Sequence, residues 1–220
     1  MKLDIEIPSL ILINAPQGSG KSHLIRYIMY MNRKKFDYGI VFTNTLFEDD
    51  SFDYINKKYI HPEYDPNALN SLMKIQSKLI AEGTSKEAFV IFDDCIDASQ
   101  FKCQHLKNLC TQLRHYHITV IFATQYTNIL PTYMRTNAMV SIIFKTDSEC
   151  NLKALYASYG QLFDNFNDFK NYVLTNLGNH KFIYYNKKNA NENIDDTYPI
   201  MVCPSKVPTF KLRVNKLISE

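Results

Sequence analysis

The chain has 220 residues, of which 45% are hydrophobic and 21% charged, and its formal net charge is +3. This length predicts one well-buried domain and excludes two full ones. The net charge is too small to indicate nucleic-acid binding without a local basic patch. No stretch approaches the roughly 20 apolar residues of a membrane-spanning helix. The five cysteines form no C-x-x-C pair, which favours a cytosolic protein with reduced thiols.

The first predicted elements surround a glycine-containing loop. The apolar run at residues 10–13 predicts a buried parallel strand, and apolar residues with helical spacing follow Ser22. The stretch between them, APQGSGKS at 15–22, therefore forms a strand-to-helix turn. Its backbone N–H groups and the new helix N-terminus suit the β-phosphate of a nucleotide. The stretch departs from the usual pattern G-x-x-x-x-G-K-[ST] in one place, since Ala15 replaces the first glycine.

This loop predicts binding of ATP with Mg²⁺. Lys21 is expected to reach the β- and γ-phosphates, and the Ser22 hydroxyl to ligate Mg²⁺. The predicted nucleotide-binding residues are consecutive: Pro16, Gln17, Gly18, Ser19, Gly20, Lys21, Ser22 and His23.

Beyond the loop helix, strands and helices alternate along the chain. A polar turn at Asn44 and Thr45 is predicted to end the second strand. The stretch from there to residue 66 is predicted to be a loop, either with a short helix or, as the preferred reading, a solvated insertion, and Gly83 ends the helix that follows it. The predicted strands are at 38–43, 89–92, 118–123, 140–144 and 181–185, and the predicted helices are at 21–32, 67–81, 100–116, 148–159 and 161–176. Residues 1–185 are predicted to form the ATPase domain. Residues 186–220 are predicted to form a tail, either packed on the domain or extending from it as a mobile or partner-bound segment.

Two carboxylates follow the third predicted strand. The apolar run FVIF is followed by Asp93 and Asp94. A carboxylate at the carboxyl end of a strand beside the phosphate loop can hold Mg²⁺, and we predict this role for Asp93. The next carboxylate can orient and deprotonate the attacking water, and we predict this role for Asp94. The alternative is that Asp94 only caps the turn that follows.

The strand at 118–123 ends in the polar pair Thr124 and Gln125. Open α/β folds bind ligands at the carboxyl edge of the sheet, where this pair would lie. Gln125 can hydrogen-bond both a γ-phosphate oxygen and the attacking water, so we predict that it senses the γ-phosphate. The alternative is a glutamine that only ends a strand.

Four segments of the chain are similar to those of a known class of proteins and occur in this order: APQGSGKS, FVIFDD, LRHYHITV and IFATQYTNILPTYMRTNA. With them the chain resembles the FtsK–HerA class of P-loop ATPases, and most of all the genome-packaging ATPases of nucleocytoplasmic large DNA viruses and related virophages. The resemblance covers residues 9–146, and its most specific part is 114–137. It implies an α/β, RecA-like fold with a mostly parallel central sheet flanked by helices. In that fold the strand bearing Gln125 separates the phosphate-loop strand from the strand bearing Asp93.

The resemblance also implies a function. ATP hydrolysis would drive double-stranded DNA into a preformed capsid, through a homo-oligomeric ring with no transmembrane segment. Its partners would be the DNA and capsid or inner-membrane components of the virion, and its location the virus factory in the host cytoplasm, and also the virion. FtsK and HerA proteins usually have glutamate where this chain has Asp94.

Ring ATPases commonly use an arginine from the neighbouring subunit to stabilise the transition state. Arg26 and Arg33 lie about one and three turns along the loop helix and point away from the phosphates. Arg114 and Arg135 are therefore the candidates, and Arg114 is preferred because it directly precedes the strand that bears the sensor. The alternative is that either arginine only pairs with a surface carboxylate or caps a helix end.

DNA contacts are expected to be electrostatic, independent of base sequence and weakened by salt. The candidates are basic residues in two groups: Lys102, Lys107, Lys145 and Lys153 in the domain, and Lys206, Lys211, Arg213 and Lys216 in the tail.

The sequence also bears on three functions other than a motor. A small GTPase is excluded because the motifs N-K-x-D and D-x-x-G are absent. A kinase acting on a small acceptor usually has an arginine-rich lid, which the five arginines do not form. An ATP-binding assembly scaffold would tolerate loss of the base or the sensor, yet both are present. The kinase and the scaffold stay as alternatives to the motor.

Overall fold

The structure, a computed structural model, describes residues 3, 5–44, 51–84, 86–178 and 180–212. The strands are β1 (Leu10–Asn14), β2 (Tyr38–Thr43), β3 (Ile60–His61), β4 (Ala88–Asp93), β5 (Ile118–Thr124), β6 (Val140–Phe144), β7 (Lys181–Asn186) and β8 (Ile200–Val202). The α-helices are α1 (Lys21–Asn32), α2 (Pro66–Ala81), α3 (Gln104–Gln112), α4 (Thr132–Asn137), α5 (Glu149–Tyr159), α6 (Phe166–Asn176) and α7 (Ile194–Thr197). Short 3₁₀ helices occur at Lys57–Tyr59, Gln100–Lys102 and Thr127–Ile129.

The eight strands form one sheet in the order β3-β2-β4-β5-β1-β6-β7-β8. The first six run parallel to one another, whereas β7 is antiparallel to both of its neighbours. The predicted α/β fold with a mostly parallel sheet is confirmed, and β5 lies between β4 and β1 as the resemblance implied. The carboxyl ends of these three strands therefore share one edge of the sheet.

Helices cover both faces of the sheet, which explains the uninterrupted apolar run in β1. Ile11 and Ile13 belong to a core that includes α1, whereas Leu10 and Leu12 belong to a second core with α2 and α3. Successive side chains of a strand point to opposite faces. Each of the four apolar positions of β1 therefore faces a core, and all five residues of the strand are buried.

Two predicted helices are shorter than their apolar spacing suggested. The segment at 100–116 contains a 3₁₀ turn and then α3, which ends at Gln112. Residues 113–117 form a tighter turn instead, in which His115 N donates to Gln112 O and His117 N to Arg114 O, three residues back and not four. The second begins at Phe166 and not at residue 161, because the Asn165 side chain caps it by accepting from Asp168 N.

The prediction of a solvated loop at 44–66 is wrong for the part that the structure describes. Phe52, Tyr54 and Tyr59 are buried, and β3 extends the sheet beside β2. The aromatic residues of this segment thus cover one end of the core. Residues 45–50, with the predicted turn at Thr45, lie outside the described residues.

The C-terminal residues up to 212 fold with the domain. Strand β7 runs on to Asn186, and β8 pairs with it. We call residues 203–212 the C-terminal segment. Its Phe210 ring stacks on Tyr54 with centroids 4.7 Å apart, and Leu212 N donates to Tyr54 O at 2.9 Å. Residues 187–212 thus pack on the domain, the first of the two predicted arrangements, while the candidates Arg213 and Lys216 lie outside the described residues.

Among the helices in the described ranges, none is both long and apolar enough to cross a membrane.

Candidate functional site

The loop between β1 and α1 is compact and depends on two glycines. Gly18 and Gly20 have φ of 73° and 96°, in the left-handed region that side chains disfavour. Ser19 closes the turn, since its backbone N and its Oγ both donate to Pro16 O, at 3.3 and 2.7 Å. Gly20 then leads directly into α1. This combination of tight turn and helix N-terminus forms an anion-binding concavity.

Ala15, which replaces the usual first glycine, fits its position without strain. Its backbone lies outside the left-handed region, and its N–H donates to Thr124 O at 3.0 Å. The side chain is buried. The departure from the usual pattern therefore leaves the loop intact.

Lys21 lies between the two carboxylates at the end of β4. Its Nζ is 3.0 Å from Asp93 Oδ1 and also contacts Asp94 Oδ2. Burial alone would lower the pKa of Lys21, but the two carboxylates outweigh this effect and raise the pKa above its ordinary value. Lys21 therefore stays a cation at neutral pH.

The carboxylate of Asp94 is oriented by the end of β5. Gln125 donates to it twice, from Nε2 to Oδ2 at 2.9 Å and from the backbone N to Oδ1 at 3.2 Å. The main chain is held as well, since Asp94 N donates to Ala123 O and Asn44 Nδ2 donates to Asp94 O. Within the described part of the chain, the carboxylate bonds to Lys21 and Gln125 and not to the turn that follows, which disfavours the capping alternative.

The backbone of Asp94 gives a physical reason for aspartate in place of glutamate. Its φ is 49°, in the left-handed region. Aspartate is several-fold enriched there among residues other than glycine. A longer acid at this position would lose that conformational preference.

One cavity of about 370 Å³ joins the loop to both carboxylates and the sensor. Seven of the eight predicted nucleotide-binding residues line it, and Ser19 is the exception because its side chain folds back onto Pro16. The lining residues are Pro16, Gln17, Gly18, Gly20, Lys21, Ser22, His23, Asp93, Asp94 and Gln125.

The chemistry of the residues beside the loop fits Mg²⁺. Ser22 Oγ donates to Asp93 Oδ2 at 3.5 Å, so a hydroxyl and a carboxylate oxygen lie side by side. The Asp93 side chain is 3% exposed. Mg²⁺ prefers oxygen ligands of this kind and keeps several of its waters, for which the adjoining cavity has room.

Arg114 and Arg135 lie away from the phosphate loop of their own chain. Arg114 follows α3 and precedes β5, at the amino-terminal edge of the sheet, where it lines a second cavity with Ser9 and Lys187. Arg135 lies on α4 ahead of β6, and its guanidinium donates to Leu130 O. A role in phosphate chemistry would therefore have to be exerted on a neighbouring subunit.

Several polar residues beside the site were not assigned a role from the sequence. Thr127 Oγ1 donates to Asn14 Oδ1 at 2.9 Å, and Asn151 Nδ2 donates to Gln125 O at 3.0 Å, so both ends of the sensor segment are held. Asn14 ends an apolar strand directly before the loop, and that pattern could have identified it. Asn151 comes from α5 and has no such local signal.

Comparisons with known proteins agree with this geometry. The family model described as "Poxvirus A32 protein" matches residues 6–159. Protein 075L of invertebrate iridescent virus 6 is 31% identical over 182 residues, which cover 80% of this chain and 69% of that protein. Protein L437 of Acanthamoeba polyphaga mimivirus is 26% identical over 221 residues, 95% and 74% of the two chains.

A solved structure shares the fold. The genome packaging NTPase B204 from Sulfolobus turreted icosahedral virus 2, in complex with AMPPCP, matches with a TM-score of 0.62 at 17% identity and covers 89% of this chain and 98% of that one. The predicted resemblance to proteins of large DNA viruses is confirmed by the family model and by these viral relatives. The chain therefore belongs to the Poxvirus A32 protein family.

Proposed function

We propose that the protein is an ATP-hydrolysing motor that moves double-stranded viral DNA into a preformed capsid. The observation that carries this proposal is the convergence of Lys21, Asp93, Asp94 and Gln125 on one cavity beside the phosphate loop. Family membership and the fold shared with a genome packaging NTPase support the packaging part of the proposal.

The site binds the triphosphate through charge and backbone dipoles. Lys21 brings a fixed cation to the β- and γ-phosphates, and the loop supplies N–H donors and the helix N-terminus. Mg²⁺ held through Ser22 and Asp93 would neutralise charge on the same phosphates.

Hydrolysis uses the carboxylate of Asp94 as a general base. As the water oxygen bonds to the γ-phosphorus, Asp94 accepts a proton from the water, and the bond from phosphorus to the bridging oxygen breaks to leave ADP. Gln125 holds the carboxylate through its Nε2 and presents its side chain to the same cavity, where it can contact the water or a γ-phosphate oxygen.

The site favours hydrolysis over the two alternatives. Within the described residues, no arginine lines the cavity, as the lid of a small-molecule kinase would require. A scaffold would have no need of a carboxylate oriented by two hydrogen bonds from Gln125. The motor acts as a homo-oligomeric ring on DNA, docked on capsid or inner-membrane components at the virus factory in the host cytoplasm, and also in the virion.

The test measures ATP hydrolysis with and without duplex DNA of arbitrary sequence. We expect duplex DNA to stimulate the wild-type rate, and the stimulation to fall steeply between ~50 and ~200 mM salt because phosphate contacts release counterions. Lys21→Ala should be inactive under all conditions. A rate indifferent to DNA, together with phosphate transfer to a small acceptor, would support the kinase instead.

A further inference from the structure

His180 lies far from the phosphate loop in sequence but contacts it in the fold. Its Nδ1 is 3.1 Å from the carbonyl oxygen of Ser19. A carbonyl oxygen only accepts hydrogen bonds, so Nδ1 carries the proton and donates. We propose that His180 is a positioning residue for the phosphate loop, which orients the peptide between Ser19 and Gly20 for nucleotide binding. This inference rests on the nucleotide site proposed above.

The geometry of the peptide bond explains how such a contact acts. The carbonyl of Ser19 and the N–H of Gly20 belong to one planar trans unit, so they point in opposite directions. A donor fixed on the carbonyl side turns the N–H to the other side, toward the cavity that Gly20 lines. Hydrogen bonds in a chain also polarise one another, which makes this N–H a stronger donor to a phosphate.

The close approach of the histidine ring adds a second constraint on Gly20. A Cβ atom at this position would lie 3.2 Å from His180 Nδ1, closer than most Cβ contacts in proteins. The φ of 96° already favours glycine here, and any side chain would also require the ring to shift by a few tenths of an ångström. The ring and the loop therefore form a fitted contact.

The antiparallel part of the sheet holds His180 in place. Its backbone is left-handed, with φ of 63°, at the turn that leads into β7. Its carbonyl oxygen accepts from Cys203 N at 3.0 Å. The next residue along that segment, Pro204, contacts α1, since its carbonyl oxygen lies 2.7 Å from His23 Nε2. Two histidines thus connect the C-terminal segment to the loop and its helix.

The variants for the test separate the side-chain donor from the backbone. His180→Gly keeps a residue that tolerates the left-handed region but removes the donor. His180→Asn tolerates the same backbone and supplies a side-chain N–H, so it should rescue. The matched control is His117→Gly, since His117 is also left-handed, with φ of 52°, but contacts Glu87 at the opposite edge of the sheet.

The measurement is the Kd for AMPPCP by calorimetry, with thermal unfolding of the same proteins without nucleotide. We expect His180→Gly to raise Kd about three- to tenfold, which is the effect of losing one hydrogen bond. His180→Asn should stay within about twofold of wild type, and so should His117→Gly. Wild-type affinity in His180→Gly, or no rescue by His180→Asn, would overturn the inference. A wild-type protein that does not bind AMPPCP would overturn the proposed function itself.

Discussion

At the scale of single residues, Asp94 combines a left-handed backbone with a carboxylate that two hydrogen bonds from Gln125 hold. We predict that Asp94→Asn binds ATP with a Kd within about threefold of wild type. Asparagine keeps the size and the backbone preference but cannot accept the proton. The rate of hydrolysis should fall at least ~100-fold, which is the lower end of the rate enhancement that a general base supplies. Phosphate release in a single turnover measures it.

The matched control for this change is Asp97→Asn. Asp97 is exposed and lies three residues beyond the base, so its loss should leave the rate unchanged. Turnover by Asp94→Asn within about twofold of wild type would remove Asp94 from the base role.

Most catalytic candidates could be predicted from the sequence because each stands beside a recognisable element. Lys21 follows a glycine loop, and Asp93 and Gln125 end apolar strands, so local pattern alone places them at one edge of the sheet. Asn151 and His180 reach the site from α5 and from the turn before β7. Their roles depend on tertiary packing, which no local pattern records.

At the scale of elements, two distant segments clamp α1. The Arg26 guanidinium pairs with Asp53 at 2.6 Å and lies over the Tyr54 and Phe210 rings, which stack on each other. We predict that Phe210→Ala lowers the free energy of unfolding by about 3 kcal/mol. This is the lower end of the stability loss when a buried phenylalanine is replaced by alanine. The shift in the urea midpoint measures this loss.

Val202→Ala is the control for that change. Val202 is 52% exposed on β8, so its truncation should alter the free energy of unfolding by no more than about 0.5 kcal/mol. If Phe210→Ala cost less than about 1 kcal/mol, the C-terminal segment would not be packed on α1 in solution.

The elements that the sequence did not predict are either very short or have apolar residues without regular spacing. Strands β3 and β8 have two and three residues, too few for alternation to be visible. Residues 51–59 bury aromatic side chains without helical or strand spacing, so they read as a loop. The early end of α3 follows from the tighter turn at 113–117, where His115 N donates to Gln112 O, and the residue types alone do not reveal it.

At the scale of the whole molecule, the two candidate arginines lie at the edge of the sheet opposite the phosphate loop. Only a head-to-tail contact between subunits could bring Arg114 to ATP. We predict that Arg114→Ala and Lys21→Ala, each nearly inactive alone, recover ATPase activity when mixed. The recovery arises at interfaces where an intact Arg114 faces an intact Lys21.

Arg33→Ala is the control variant for the mixing experiment. Arg33 lies at the end of α1, where its guanidinium donates to Tyr30 O and covers the Tyr30 ring, so its loss should leave the rate unchanged without mixing. The mixing experiment is repeated with Arg135→Ala in place of Arg114→Ala. If neither pair recovers ATPase activity in rings shown to contain both variants, no arginine acts between subunits.

The order of the central strands was predictable as far as the resemblance extended, to residue 146. Beyond residue 146, strand β7 runs antiparallel to its neighbours and the C-terminal segment returns to Tyr54. Both features depend on contacts between residues far apart in sequence. Such contacts leave no trace in composition or spacing.

The central position of β1 has a consequence for biosynthesis. This strand is made first, but its two neighbours are β5, which begins at residue 118, and β6, which begins at 140. Ribosomes add about 5–20 residues per second, so β1 waits roughly 5–20 s for its first partner. During this interval its apolar run is unpaired on the ribosome and is a natural target for a chaperone. The strand that carries the nucleotide loop is thus translated more than 100 residues ahead of either strand that pairs with it.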